Sequence, residues 1–238
     1  MLFILPDRLA LVFIAYFVAG PLQNNCYLLA PDGGDRGIVI DAPLGASETV
    51  ERALAEHGLG LAGVLLTHGH IDHCAEAARL ADAHDAPVLV SAADRVLLTR
   101  PELALSTELA AQLVALLPGP PAEPRRVELY DPSRPLSIGG LRLTVLPAPG
   151  HTPGSVLLRT STGDDEVAFT GDVLFAGSIG RTDLPAGDDP AMRASLRDVV
   201  RELPARVQVL PGHGPFSTMA DELATNPYLT DAYVEALS

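Results

Sequence analysis

The sequence predicts an α/β fold in which two mixed β-sheets pack face to face with helices on the outside. Two observations lead there. Apolar, strand-like runs alternate with stretches of helical periodicity, and they do so in two similar halves, β-β-β-α-β-α-β and then β-β-β-α-β-α. In addition, Leu65–His70 (LLTHGH), Thr144–His151 (TVLPAPGH) and Val207–His213 (VQVLPGH) each read as a strand that ends in a small or Pro-Gly turn and then a histidine. With 47% hydrophobic residues over 238 positions, a sizeable core is available. One domain is expected over residues 9–238, with residues 1–8 as an N-terminal extension.

In chain order, Leu9–Gly20 is apolar and rich in Val, Phe, Ile and Tyr, which suits a strand. Its twelve residues fall short of the ~20 needed to span a bilayer, and no positive start marks it as a signal peptide. Ile38–Ile40 leads into Asp41. Ser47–His57 reads as a helix with Ser47 as its N-cap and Val50 and Leu54 at helical spacing. Gly63–Thr67 is a strand, residues 73–84 a helix and Pro87–Ser91 a strand. Residues 92–98 and 102–117 carry helical patterns, and the four prolines within residues 118–126 make a loop. Leu141–Leu146 alternates as a strand should. Ser155–Arg159 and Glu166–Thr170 are two more, joined at Gly163-Asp164. Pro190–Glu202 is helical, Arg206–Leu210 is the last strand, and residues 218–225 start a final helix.

Composition excludes several functions. A net charge of −14 without a basic stripe disfavours nucleic acid as a partner, and no membrane partner is indicated. All sixteen cationic side chains are arginine, so no Schiff-base lysine exists. Two cysteines, Cys26 and Cys74, are too few for a disulfide framework and suit a reducing, cytoplasmic setting. Cys74 follows His73 directly.

The chemistry concentrates in Thr67-His68-Gly69-His70-Ile71-Asp72-His73, directly after an apolar strand. Imidazole and carboxylate together suit zinc and iron-like divalent ions, and Gly69 permits a tight backbone path. Of seven histidines, 68, 70, 73, 151 and 213 all sit in or just after a glycine-containing turn that follows a strand; His57 and His84 lie at helix ends and read as structural or solvent-facing. A divalent ion held by neutral imidazoles keeps a position open for water, and two such ions ~3.5–4 Å apart can lower the pKa of a shared water from 15.7 towards about 7. No serine or cysteine elsewhere reads as a nucleophile.

The series His68-x-His70-x-Asp72-His73, then His151, Asp172 and His213, resembles the ligand series of the metallo-β-lactamase superfamily, over most of the chain from about Tyr16 onwards. The resemblance implies an αβ/βα four-layer sandwich. It implies two divalent metal ions, zinc foremost and iron or manganese otherwise. His68, His70 and His151 would hold the first, Asp72, His73 and His213 the second, and Asp172 would bridge them. Antibiotic-destroying lactamases resemble the chain less, since they commonly place a cysteine in the second site, and 238 residues leave no room for the extra domain of the long nuclease members.

Phe169–Asp183 (FTGDVLFAGSIGRTD), His151–Ser155 (HTPGS) and Thr225–Leu229 (TNPYL) are similar to glyoxalase II and its short relatives, which hydrolyse thioesters such as S-lactoylglutathione. The implied reaction is hydrolysis of a small thioester, hydroxyacylglutathione or a related acyl-thiol, by a hydroxide bridging the metals, with Asp72 and Asp172 as the catalytic carboxylates. Arg181 stands where that family has a substrate-binding basic residue. A guanidinium suits a substrate carboxylate, and equally an ion pair with Asp183 or Asp188. The longer C-terminal helical region of full-length glyoxalase II has no counterpart here, which leaves the thiol carrier open. The alternative is a persulfide dioxygenase, which the same loop and Gly180–Asp183 resemble, with one iron on His68, His151 and Asp172.

Overall fold

A computed structural model describes residues 2–4, 12–162 and 165–236. The first sheet runs β1 (Phe3–Ile4), β2 (Val12–Ala19), β3 (Asn24–Pro31), β4 (Arg36–Ile40), β5 (Gly60–Leu65), β6 (Val88–Val90) and β7 (Val127–Leu129), in that spatial order. It is antiparallel as far as β4 and parallel from β4 to β7. In the second half come β8 (Leu136–Ile138), β9 (Leu141–Pro147), β10 (Val156–Thr162), β11 (Asp165–Gly171), the small hairpin β12 (Leu174–Phe175) and β13 (Ser178–Ile179), then β14 (Gln208–Pro211) and β15 (Ser217–Thr218). The second sheet has the order β15-β14-β11-β10-β9-β8, with β11 and β14 its parallel pair.

The side-chain period of two fixes the layers. Tyr27, Leu29, Ile38 and Ile40 of the first sheet meet Leu143, Val145, Leu158 and Phe169 of the second in one buried cluster. The residues between them face outwards. Cys26, Leu28 and Val39 pack under α1 (Ala46–His57), joined by Leu80 further along the chain. Leu157, Ala168 and Val209 pack with Met192, Leu196 and Val200. The order helix, sheet, sheet, helix is therefore the four-layer sandwich expected. Among the described residues no helix is long and apolar enough to cross a membrane.

Several elements differ from their sequence signals. Gly45, at φ 82°, occupies the N-cap of α1, while Ser47 lies inside the helix with its N–H donated to Glu76 Oε2 at 2.6 Å. The helix expected over residues 73–84 is two, α2 (Ile71–Cys74) and α3 (Ala77–Ala83). The break follows from the backbone of Ala42, which donates to the His73 carbonyl at 2.7 Å and accepts from Glu76 N–H at 2.9 Å. The stretch 92–98 forms only a 3-10 turn at Arg95–Leu98, and 102–117 shortens to α4 (Thr107–Val114), capped by Ser106. β7 and β8 are three residues each and only half-buried or exposed, so alternation gave no signal for them. Phe3 and Ile4 pair with Tyr16 and Ala15, joining part of the expected extension to the sheet; Leu9–Leu11 and the Gly163-Asp164 turn lie outside the described residues. The second half continues through α5 (Asp189–Ser195), extended by a wider coil over Leu196–Val200, then α6 (Met219–Thr225) and α7 (Asp231–Val234).

Phe169 is fully buried between the sheets, its ring 5.0 Å from that of Tyr27 in an edge-on arrangement. Phe169→Ala is expected to lower the unfolding free energy by about 3–5 kcal/mol, read from urea denaturation. A loss below about 1 kcal/mol, the cost of a mild core change, would show that the two sheets do not depend on this contact.

Candidate metal centre

The centre forms at one end of the sandwich, where chain leaves both sheets. After β5, Thr67 is anchored by Asp41, which ends the neighbouring parallel strand: Thr67 N–H and Oγ1–H donate to Asp41 Oδ1 and Oδ2, both at 2.8 Å. His68 and His70 follow. Gly69 between them leaves no space for a side chain, since a Cβ would meet the Asp94 carbonyl and Leu97 Cβ at 2.8 Å. α2 then supplies Asp72 and His73. From the second sheet, the turn after β9 brings His151, and the adjacent parallel strands β11 and β14 deliver Asp172 and His213 side by side. Gly212 is required for that approach, because a Cβ there would lie 2.3 Å from Asp172 Oδ1.

All seven expected donors converge. His68, His70 and His151 form one group whose ligand atoms lie within 4.8 Å of one another, and Asp72, His73 and His213 form another; His68, His73 and Asp172 form a third group that links them. Asp172 faces both sides: Oδ1 is 3.3 Å from His73 Nε2, and Oδ2 is 3.6 Å from His151 Nε2 and 3.5 Å from His213 Nε2. His57 packs against the Phe13 ring and His84 pairs with Glu51, both away from the centre.

Each of the five histidines spends its outer ring nitrogen on a protein acceptor. His68 Nδ1 donates to Thr67 Oγ1 (3.1 Å), whose own proton is given to Asp41. His70 Nε2 donates to the Ala104 carbonyl (3.2 Å), His73 Nδ1 to Asp41 Oδ2 (2.8 Å), His151 Nδ1 to the Arg181 carbonyl (2.8 Å) and His213 Nδ1 to the Leu22 carbonyl (2.9 Å). The inner nitrogens are thereby left as lone pairs that converge. His68 Nε2 stands 3.2 Å from His70 Nδ1, and His73 Nε2 stands 3.2 Å from His213 Nε2. His151 Nε2 and Asp172 Oδ1 are buried without a hydrogen-bond partner among the described residues. Lone pairs aimed at one another, and buried acceptors with no donor, are the arrangement that divalent cations satisfy.

Electrostatics agree. Burial, reinforced by the neighbouring imidazoles, pushes His68 well down and His70 to about 4, so both favour the neutral form that binds a metal. Burial would raise Asp72, but His73, His213 and the Asn24 amide outweigh it and hold the carboxylate ionised. Asp172 is likewise lowered by His73, His151 and His213 against its own desolvation. Burial opposes charging His73, yet Asp172, Asp72 and Asp41 prevail and raise its pKa, which marks a spot that calls for positive charge.

Three residues that sequence reading passed over hold the donors in place. Asp41 is one. Asn24 is another, with its amide on Asp72 Oδ2 at 2.9 Å. Asp94 is the third, fully buried: Oδ2 accepts from Gly69 N–H (2.8 Å) and Thr152 Oγ1 (2.6 Å), Oδ1 from Gly154 N–H (2.7 Å). It clamps the His68–His73 loop to the His151 loop. Nothing in residue type distinguished Asp94 from a surface aspartate; only its neighbours do. Cys74 lies beside the centre but turns its thiol to the Gly69 carbonyl, and burial pushes that thiol up. The guanidinium of Arg181 is exposed and paired with Asp183, Nε to Oδ1 at 2.6 Å and Nη2 to Oδ2 at 2.8 Å. A cleft of about 480 Å3 opens over the donors, and Arg181 is on its rim.

The family model of the metallo-beta-lactamase superfamily matches residues 19–213. Hydroxyacylglutathione hydrolase GloC of Haemophilus influenzae is 34% identical over 209 residues, 87% of this chain and 93% of that protein. Among crystal structures, BLEG-1 B3 metallo-beta-lactamase superposes with a TM-score of 0.79 at 33% identity, over 91% of this chain and 99% of that one. TTHA1623 in a di-iron-bound form gives 0.74 at 36% identity, over 90% and 99%. A lactamase is thus about as similar as the hydroxyacylglutathione hydrolase, more than the lack of a cysteine among the donors led us to expect.

Removing a carboxylate that orients a metal-binding histidine typically costs ~10–100-fold in metal affinity. Asp41→Ala should lower zinc affinity by about that factor in a chelator competition assay, and unchanged affinity would deny Asp41 its positioning role. Asp94→Ala leaves the Gly69 and Gly154 N–H groups unpaired, while Thr152 Oγ1 keeps Ser155 Oγ, and should lower the unfolding free energy by about 3 kcal/mol, measured on metal-free protein; a loss under about 1 kcal/mol would mean the clamp is dispensable.

Proposed function

The chain belongs to the metallo-β-lactamase superfamily, and from that premise we propose that it is a two-metal hydrolase of small acyl thioesters. Metal-dependent hydrolysis is what membership indicates. The observation that carries the two-metal reading is the outward bonding of all five imidazoles, which leaves five nitrogens and two carboxylates aimed at one space. The donors fit divalent ions: His68, His70 and His151 would hold one, Asp72, His73 and His213 the other, with Asp172 shared. Zinc is the first candidate. Iron is supported as an alternative by the di-iron form of TTHA1623, and manganese would suit the same donors.

Bound there, two divalent ions supply a water acidified towards neutral pH and an electrophile for the carbonyl oxygen. The chain's residues supply the rest. Asn24 pins Asp72 Oδ2, so that Oδ1 would remain to orient the water. Asp172 lies between the two histidine groups, Oδ1 towards His73 and Oδ2 towards His151 and His213, and its charge would offset the repulsion between two nearby dications. No general acid is needed for the leaving group, because a thiol of ordinary pKa near 8.5 departs as thiolate. Cys74 does not compete as a nucleophile, since its thiol is bonded to the Gly69 carbonyl. Arg181 would bind a substrate carboxylate by exchanging it for Asp183; an exposed pair of this kind costs little to open.

The resemblance to GloC supports the thioester as substrate. The rival dioxygenase reading uses one iron on His68, His151 and Asp172, and it leaves the fixed orientation of His213 and the Asn24–Asp72 bond without a purpose. The test is metal analysis followed by a panel of acyl thioesters, with an oxygen electrode in the same cuvette. Two metals per chain and thioester cleavage without oxygen uptake are expected; one iron with oxygen uptake would replace this proposal by its rival. Asp172→Ala should lose at least about a hundredfold in kcat/KM, more than the loss of an outer carboxylate costs. Full turnover with full metal content in that variant would refute the shared role.

A further inference from the structure

We infer that the acyl group of the substrate is an aliphatic chain, seated on a wall of leucines beside the metal donors; this deepens the thioester reading and rests on it. The wall is built by α4 and the loop opposite. Leu109 and Leu113 lie one helical turn apart and pack with Leu105 and Leu184 in a cluster separate from the main cores. All four line the cleft, with Phe175 and Leu22 on the side of His213. Leu22 is 44% exposed, and Leu109, Leu184 and Phe175 are only half-buried. Apolar side chains left in contact with water and grouped around polar donors mark a ligand site.

The charges of the cleft point the same way. Outside the donors themselves, its lining carries one charged side chain, Arg181, whose Nε and Nη2 are paired with Asp183. The chain contains no lysine. A carrier with two free carboxylates, as glutathione has, would find no second cation on this wall. Arg181, once exchanged from Asp183, can take one carboxylate of the carrier at the rim; the remainder of the carrier is left to solvent, and the wall falls to the acyl group. A hydroxyl on that group, as in a lactoyl thioester, would be desolvated there without a partner.

Each methylene taken out of water is worth about fourfold in binding. The experiment compares hexanoyl and lactoyl thioesters of one uncharged thiol, N-acetylcysteamine, with the metal-loaded protein. In parallel, calorimetry measures hexanoate and lactate binding to the same protein. Hexanoyl should lead by at least about tenfold in kcat/KM, and hexanoate should bind more tightly by a similar factor. Leu109→Asn and Leu184→Asn should each erase both preferences with metal content unchanged and a cooperative urea transition retained. Equal or better lactoyl turnover and lactate binding would overturn the inference, as would a hexanoyl preference that survives both substitutions. The two readings fail separately: leucine-dependent hexanoate binding without cleavage of either thioester would sink the thioester chemistry and keep the apolar site. Cleavage of both without preference would do the reverse.

Discussion

Imidazoles and carboxylates crowded into a few ångströms repel, compete for protons and swing away unless each is held from behind. That constraint governs the architecture. Five donors reach the centre from strand ends or the turns after them, Asp72 and His73 come from the short helix α2, and every imidazole is locked by an outward hydrogen bond. Asp41 shows the economy of the arrangement: a single buried carboxylate anchors Thr67 through two bonds and sets the tautomer of His73 through a third. The sandwich below is the mount: the parallel pair β11–β14 places Asp172 and His213 at neighbouring strand ends, and the pair β4–β5 places Asp41 beside the loop that carries His68.

The parts of this that were legible in the sequence are those governed by local pattern. Period-two alternation located β9, a turn signal between two short strand-like runs located β10 and β11, and apolar runs located β4 and β14. The strand-turn-histidine segments located the donors because residue type and spacing carry the chemistry. What stayed hidden depends on contacts between distant positions. The split of α2 from α3 follows from the backbone of Ala42, some thirty residues away, which no helical period records. Ser47 looks like a cap, but Glu76 draws its N–H inwards and Gly45 takes the turn. Asp94 and Asn24 look like ordinary polar residues until the fold places them beside the donor loops. Arg181 was left between substrate and ion pair, and in the structure it lies on Asp183.

The wall of the cleft is held by a device of its own. Asn226 is buried and donates to the Ser178 carbonyl at 3.1 Å and to Glu222 Oε2 at 2.7 Å, while Glu222 accepts from Gly177 N–H at 3.0 Å. The β12–β13 hairpin is thus fixed from α6, and the strand end beyond it carries the Arg181 carbonyl that orients His151. The Thr225–Leu229 stretch, far from any donor, matters through this route. It links the side of the cleft that meets substrate to the side that meets metal.

The Asp94 clamp has a consequence for how the protein is made. The carboxylate belongs to the first half of the chain, and two of its three donors, Thr152 and Gly154, belong to the second. During synthesis the His68–His73 loop is complete while its clamping partners are still unmade, and a buried carboxylate with too few donors is costly. The two sheets must therefore dock before either histidine loop takes its final shape, so maturation of the centre comes late, after the halves have found each other.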